Sequence, residues 1–343
     1  MPPVCNSPLH GDKAMNITVI GAGAWGSALA VHFALHGNRV SLWTRSREQT
    51  AAMQAERENT RYFPGFPFPP AITVHTELVQ ALNGSGLVIA ATPVAGLRGA
   101  AEQIQAAGYG QLPILAACKG FELSTGLLPH QVLREILPAN NRTGLLSGPS
   151  FAQELARQLP CAVVLASENE AWVSGLAREL NTAILRLYAN TDTVGVAVGG
   201  AVKNVMAIAT GLSDGLGYGL NARAALITRG LAEMTRLAAA LGAEQKTMMG
   251  LAGMGDLILT CTGALSRNRQ VGLGLASGKP LAEVLAELGH VTEGVPAAEE
   301  VLKTARRLHT DMPVTQTLVE LLRGELDARH VAERLMLRET KAE

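Results

Sequence analysis

Short apolar runs punctuate the first half of the chain, at 17–20, 39–43, 87–91, 113–118, 145–147, 161–166 and 184–188, and helical spacing fills the stretches between them. Most of these runs show no polar alternation. A strand without a polar face is buried on both sides, which predicts a largely parallel sheet covered by helices. After residue 193 no strand-like run follows, and helical patterns, first wholly apolar and later amphipathic, continue to the end. The chain therefore reads as α/β with an all-α second half. Its 343 residues are enough for two cores.

The run at 17–20 breaks into Gly21-Ala22-Gly23-Ala24-Trp25-Gly26 and then into an Ala/Leu-rich helix at 27–37 closed by glycine. Strand, tight turn and helix start in this order are the layout of a dinucleotide site. Gly21 permits the sharp turn, Gly23 lets a pyrophosphate approach the backbone, and Gly26 lets the helix lie close on the sheet. The helix N-terminus offers free N–H groups to an anion. The architecture this predicts is an N-terminal Rossmann dinucleotide-binding domain at 15–193 and an all-α substrate and catalytic domain at 194–343, with 1–14 a disordered tail. The second strand ends about 20 residues past the glycines, where NAD-specific sites carry an acid. Thr44-Arg45-Ser46-Arg47 stand there instead. Guanidinium and hydroxyl groups can bind a 2′-phosphate that a carboxylate would repel, so NADP(H) is expected beside NAD(H). A solvated basic turn is the plainer alternative.

With 29 basic and 29 acidic residues there is no basic excess for nucleic acid or an anionic membrane surface, so any anion site is local. Cys5, Cys118, Cys161 and Cys261 show no CxxC spacing, which favours reduced thiols over disulfides or zinc ligands; no metal site is predicted. The stretch 194–212 is the most membrane-like, yet Lys203 and Asn204 sit at its middle, and it reads better as a helix buried in protein. Reduced thiols and a tail without a signal-peptide core predict a cytoplasmic location.

Candidate ligand-facing residues fall where apolar strands end, the edge at which open sheets bind ligands. Lys119 lies just beyond 113–118, where it either touches a ligand or is a solvated loop lysine. Gly148-Pro149-Ser150 follows 145–147, with Ser150 equally suited to capping the next helix. Lys203 is the one charge between 194 and 211, and an ammonium is rarely buried without purpose. Snorkelling at the helix edge is the alternative. Asp256 ends a glycine-rich loop, and Ser266-Arg267-Asn268-Arg269 groups side chains that suit a phosphate or only a basic helix turn. The Pro- and aromatic-rich stretch 61–70 is expected to be a loop over the sheet, and 289–296 a turn before the last helices.

The succession GAGAWGSAL, ACKGFE, SGPSFAQE, GGAVKNVMAIATG, LAGMGDLILTC, SRNR and VTEGV resembles the bacterial NAD(P)-dependent glycerol-3-phosphate dehydrogenases from residue 15 to the last helices. The resemblance implies interconversion of dihydroxyacetone phosphate and sn-glycerol 3-phosphate, mostly in the reducing direction that feeds glycerophospholipid synthesis, by a cytoplasmic homodimer. It implies that Lys203 is the catalytic acid/base. Lys119, Gly148, Ser150, Asp256, Ser266, Arg267 and Asn268 would hold the substrate with it. Ala24, Trp25, Arg45, Lys119, Ala152, Arg267, Val291 and Glu293 would line the cofactor site together with the motif glycines Gly21, Gly23 and Gly26. Desolvation, helped by Lys119, is expected to lower the Lys203 pKa, with Asp256 opposing. The alternatives are other hydroxyacid dehydrogenases with a catalytic lysine and a non-catalytic NADP(H) sensor. A buried lysine argues against the sensor, which has no need of one.

Overall fold

The computed structural model describes residues 14–123, 125–289 and 292–336; the expected tail up to Lys13, and the candidate Val291 beside His290, lie outside the described residues. Ten strands are followed by helices alone among the described residues. The strands are β1 (Asn16–Ile20), β2 (Arg39–Trp43), β3 (Glu58–Asn59), β4 (Phe63–Pro67), β5 (Ile72–His75), β6 (Leu87–Ala90), β7 (Ile114–Ala116), β8 (Thr143–Ser147), β9 (Cys161–Ala166) and β10 (Leu185–Asn190). Eight of them form one sheet in the order β10-β9-β8-β7-β6-β1-β2-β5. From β8 to β5 every pair is parallel, whereas β9 runs antiparallel to β8 and carries β10 parallel to itself. The short helix Ala152–Ala156 between β8 and β9 turns the chain back without a crossover.

The missing polar alternation has a direct cause in the packing. Ile17, Val19, Leu42, Val74, Ile89 and Leu146 enter one core together with Leu29 and Phe33 of the helix Ala24–Leu35. Their neighbours Ile20, Val88, Ala90, Ile114, Ala116 and Leu145 enter the other, with Val198, Val202 and Val205 of the helix Thr193–Gly215. Both faces of the sheet are covered, so both sets of alternate positions are apolar.

Two stretches depart from the expectation. Residues 61–70 are not only a loop: β4 pairs with β3 as a hairpin, and Phe63 stacks on Phe66 with ring centroids 4.4 Å apart against Ala28. Pro64 and Pro67 hide that strand in the sequence, yet a hairpin lying outside the main sheet tolerates prolines. β5 is a further strand outside the apolar runs: at the sheet edge only Ile72 and Val74 are buried, and Thr73 and His75 break the run.

Thr193–Gly215, the central helix, starts at Asp192, whose Oδ1 accepts from the Gly195 N–H at 2.8 Å and whose Oδ2 accepts from the Glu244 N–H at 2.9 Å. By length and apolarity it passes for a membrane span, but 94% of its most apolar window is buried inside the fold. Glycines let its neighbours approach closely. A Cβ on Gly211 would lie 2.1 Å from the Arg269 carbonyl oxygen, and one on Gly272 would lie 2.1 Å from that of Ile208. The helix Arg267–Ala276 therefore rests on the central helix backbone to backbone.

Candidate active site

The central helix crosses the sheet at the C-terminal ends of β7 and β8, because a Cβ on Gly200 would lie 3.0 Å from Ser147 Oγ and 3.3 Å from Lys119 Cγ. This brings Lys119, on the loop after β7, and Gly148, after β8, against Lys203 one turn further along the helix. Gly148 adopts φ 129°, a conformation that glycine tolerates and that turns its carbonyl toward the crevice.

Asp256 is the hub of the arrangement. The glycine-rich stretch before it is not the open loop expected from its composition: Leu251–Gly255 forms a π-helical turn that runs into the helix Asp256–Thr262. Glycine at 253 is required there, since a Cβ would lie 2.2 Å from the Met248 carbonyl oxygen. Asp256 is fully buried and accepts from Lys203 Nζ at Oδ1, 2.5 Å, and from Lys119 Nζ at Oδ2, 2.7 Å. Lys119 also donates to the Gly148 carbonyl at 3.1 Å, and Lys203 donates to Thr260 Oγ1 at 2.9 Å. Each ammonium thus spends two of its three protons inside the protein and keeps one. Two ammoniums therefore share one carboxylate in a buried crevice.

Lys203 is 6% exposed, so it does not snorkel. Burial lowers its pKa from 10.5 to about 8; Asp256 pulls upward and Lys119 pushes further down, the balance of forces expected from the sequence. Burial also raises the Glu293 carboxyl, while Lys119, Arg267 and Lys203 oppose that rise. Glu293 Oε2 accepts from Asn204 Nδ2 at 3.5 Å, which places this carboxyl beside the central helix. Desolvation pushes the Cys161 thiol up to about 11 and the Cys261 thiol up to about 12, and raises Cys118 as well, in keeping with quiet, reduced cysteines.

The remaining candidates divide by position. Arg267 is exposed at the N-terminus of the helix Arg267–Ala276, near enough to Glu293 for its charge to oppose the rise of that carboxyl's pKa. Its neighbours have structural partners. Ser266 Oγ accepts from the Arg269 N–H and caps that helix, and Asn268 Oδ1 accepts from the Gly294 N–H at 3.0 Å. The alternative of Ser150 as a helix cap falls: Phe151 occupies the cap position with no side-chain bond, and Ser150 Oγ donates to the Gly148 carbonyl at 3.2 Å. Thr260 and Asn204 join the site unforeseen. The four-residue spacing from Asp256 to Thr260, which puts both on one helix face, was the signal available for Thr260.

The dinucleotide turn fits the group its sequence implies. Gly21 adopts φ 107°, and a Cβ there would lie 2.9 Å from the Ala91–Thr92 backbone. On Gly26 a Cβ would lie 1.9 Å from the Gly21 carbonyl oxygen, whereas on Gly23 it would meet open space. No side chain caps the helix Ala24–Leu35, so its first N–H groups are available to an anion. Trp25 and Ala152 pack partly buried beside this turn with Ala24, and Arg45 projects into solvent past the end of β2.

Comparison with known proteins agrees with this layout. Residues 16–173 match the family model described as NAD-dependent glycerol-3-phosphate dehydrogenase N-terminus, and residues 192–333 match the corresponding C-terminus. The chain is 66% identical over 329 residues to a glycerol-3-phosphate dehydrogenase (NAD(P)+) of Neisseria meningitidis, covering 96% of this chain and 100% of the relative. It is 54% identical to the protein of that name from Dechloromonas aromatica, covering 96% and 99%. The crystal structure of glycerol-3-phosphate dehydrogenase from Coxiella burnetii superposes with a TM-score of 0.91 at 38% identity, covering 95% of this chain and 99% of that one.

Proposed function

The chain belongs to the NAD-dependent glycerol-3-phosphate dehydrogenase family, and from that premise we propose how its residues share the work of the reaction. It is an oxidoreductase that interconverts dihydroxyacetone phosphate and sn-glycerol 3-phosphate with NAD(P)(H). A nicotinamide held there would supply or accept the hydride at the central carbon of the substrate. Gly21, Gly23, Ala24, Trp25, Gly26, Ala152, Glu293 and Arg45 hold that cofactor in our reading, the glycine turn on its pyrophosphate and Arg45 on a 2′-phosphate.

Lys203 moves the accompanying proton. In reduction its ammonium gives the uncommitted proton to the substrate carbonyl oxygen; in oxidation its neutral amine takes the hydroxyl proton back. Asp256 and Thr260 hold Nζ in place during both. Lys119 and Gly148 lie against the substrate from the sheet side, and Arg267, with Ser150, Ser266 and Asn268 nearby, receives its phosphate through a planar guanidinium that can make two bonds. The observation that carries this reading is the shared carboxylate, which holds two lysines from distant parts of the chain at one crevice.

Dihydroxyacetone phosphate-dependent oxidation of NADPH and NADH by the purified protein tests the reading. Arg267→Ala should raise KM for dihydroxyacetone phosphate and leave weak turnover of unphosphorylated dihydroxyacetone unaltered; unchanged discrimination between the two substrates removes Arg267 from the phosphate. We further propose a cytoplasmic homodimer. Such an interface would cover the exposed apolar side chains of Leu220, on the helix Gly219–Ala240, and Ile258, on the helix Asp256–Thr262. Analytical ultracentrifugation decides between monomer and dimer.

A further inference from the structure

We propose that Gln49 is a positioning residue that ties the pyrophosphate turn to the 2′-phosphate loop and so sets the preference for NADP(H) over NAD(H). The inference rests on the reading of Arg45 as the partner of the 2′-phosphate. Gln49 lies in the first turn of the helix Arg47–Glu56, half-buried between two segments that are distant in sequence. Its Nε2 donates to the Ala22 carbonyl at 2.9 Å, and its Oε1 accepts from Thr44 Oγ1 at 2.8 Å. The carbonyl can only accept, so the orientation of the Gln49 amide is fixed by its partners.

Ala22 lies between Gly21 and Gly23, and its carbonyl takes a second amide proton from Asn59 Nδ2 at 2.9 Å. Asn59 is 1% exposed, comes from β3, and also donates to Ser27 Oγ at 2.8 Å. In a trans peptide the carbonyl of Ala22 and the N–H of Gly23 point in opposite directions. Two donors holding the carbonyl inward therefore aim the Gly23 N–H outward, on the side where the turn is open to a ligand.

The other end of Gln49 acts on the loop after β2. Thr44 is buried, its N–H donates to the His75 carbonyl at 3.1 Å, and its Oγ1 also accepts from the Ser46 N–H at 3.4 Å. Ser46 Oγ in turn accepts from the Gln49 N–H at 3.1 Å. Arg45 is thus held on both flanks while its own side chain stays exposed. A guanidinium on a braced backbone loses less freedom on meeting a phosphate than one on a loose loop. Removing the Gln49 amide should loosen the Thr44–Ser46 loop at its Thr44 side chain, while Asn59 keeps its bond to the turn. The cofactor with a 2′-phosphate should then suffer more than the one without.

Isothermal titration calorimetry of the purified enzyme with NADPH and with NADH tests this without turnover. Gln49→Met, which keeps the volume and removes both bonds, should raise Kd about tenfold for NADPH and less than about threefold for NADH. Thr44→Val should do the same, the double variant should lose less than the sum of the two singles because they share the Thr44–Gln49 bond, and Thr44→Ser, which keeps the hydroxyl, should bind as wild type. Asn59→Leu should weaken both cofactors alike. Equal losses of NADPH and NADH in Gln49→Met, or additive losses in the double variant, overturn the proposal. Arg45→Ala separates the two layers: if it is selective against NADPH while Gln49→Met is not, the coupling is wrong and Arg45 still meets the phosphate. If neither variant is selective, both ideas fall.

Discussion

Lys203 is poised by neighbours that disagree. Burial and Lys119 favour its neutral amine, Asp256 favours its ammonium, and the outcome is a pKa of about 8. Reduction needs the ammonium and oxidation the amine, so kcat/KM for glycerol 3-phosphate should rise as pH climbs through about 8, while that for dihydroxyacetone phosphate should fall over the same interval. Rate profiles in the two directions check this, and an oxidation rate that does not change between about pH 7 and 9 contradicts it. Lys203→Ala should lose about a hundred- to ten-thousandfold in turnover with NADPH binding intact. Lys203→Arg should be no better, because a guanidinium stays protonated. Asp256 presents a different risk. Replacing it with Ala strips two ammoniums of the carboxylate that bonds them both in a buried place, and about 3 to 5 kcal/mol of stability should go with it. Urea denaturation measures the loss, and Asp256→Ala combined with Lys203→Met should recover part of it, since one of the two unpaired charges is then gone.

Among the elements, the contact between the central helix and the helix Arg267–Ala276 decides where Arg267 stands. Gly272→Ala would drive a methyl group into the Ile208 carbonyl, 2.1 Å from where its Cβ would lie, and the helices must part to admit it. The expected cost is about 1 to 3 kcal/mol, with KM for dihydroxyacetone phosphate rising and NADPH affinity little changed. Thermal denaturation and a KM measurement read the two effects separately. This contact was not legible beforehand, because nothing local to Gly272 distinguishes a glycine that admits a carbonyl from one that merely ends a turn. What was legible depended on strong local signals. Gly21, Gly23 and Gly26 each have one steric reason that the chain states in its spacing, and Lys203 stood out as a lone charge among apolar neighbours. Ser150 was open to two readings, because a serine after Gly-Pro suits a helix cap as well as a place at the crevice; its bond to the Gly148 carbonyl removes the cap. The hairpin of β3 and β4 was missed because its residues read as loop until its aromatic rings find Ala28.

At the scale of the whole molecule, the crevice is assembled from residues far apart in the chain: the Lys119–Asp256 pair spans 137 positions. The same holds for the apolar interior. One continuous core joins Ile20, Val88 and Leu145 of the sheet to Val202, Leu237 and Val301 of the helical half. Calorimetric unfolding should accordingly show one transition rather than two, and a fragment ending at residue 192 should fail to fold, which circular dichroism and proteolysis would reveal. Two resolved transitions, or a stable, protected fragment, would refute it. A boundary at which the secondary structure changes is thus not a boundary at which the chain can be cut. In recombination among relatives, an exchange point near residue 193 would pair a sheet face from one parent with a central helix from another, two surfaces selected against each other residue by residue. Chimeras joined there should be poorer than those joined within a solvent-facing loop, and the catalytic crevice, built along that same seam, would inherit every misfit.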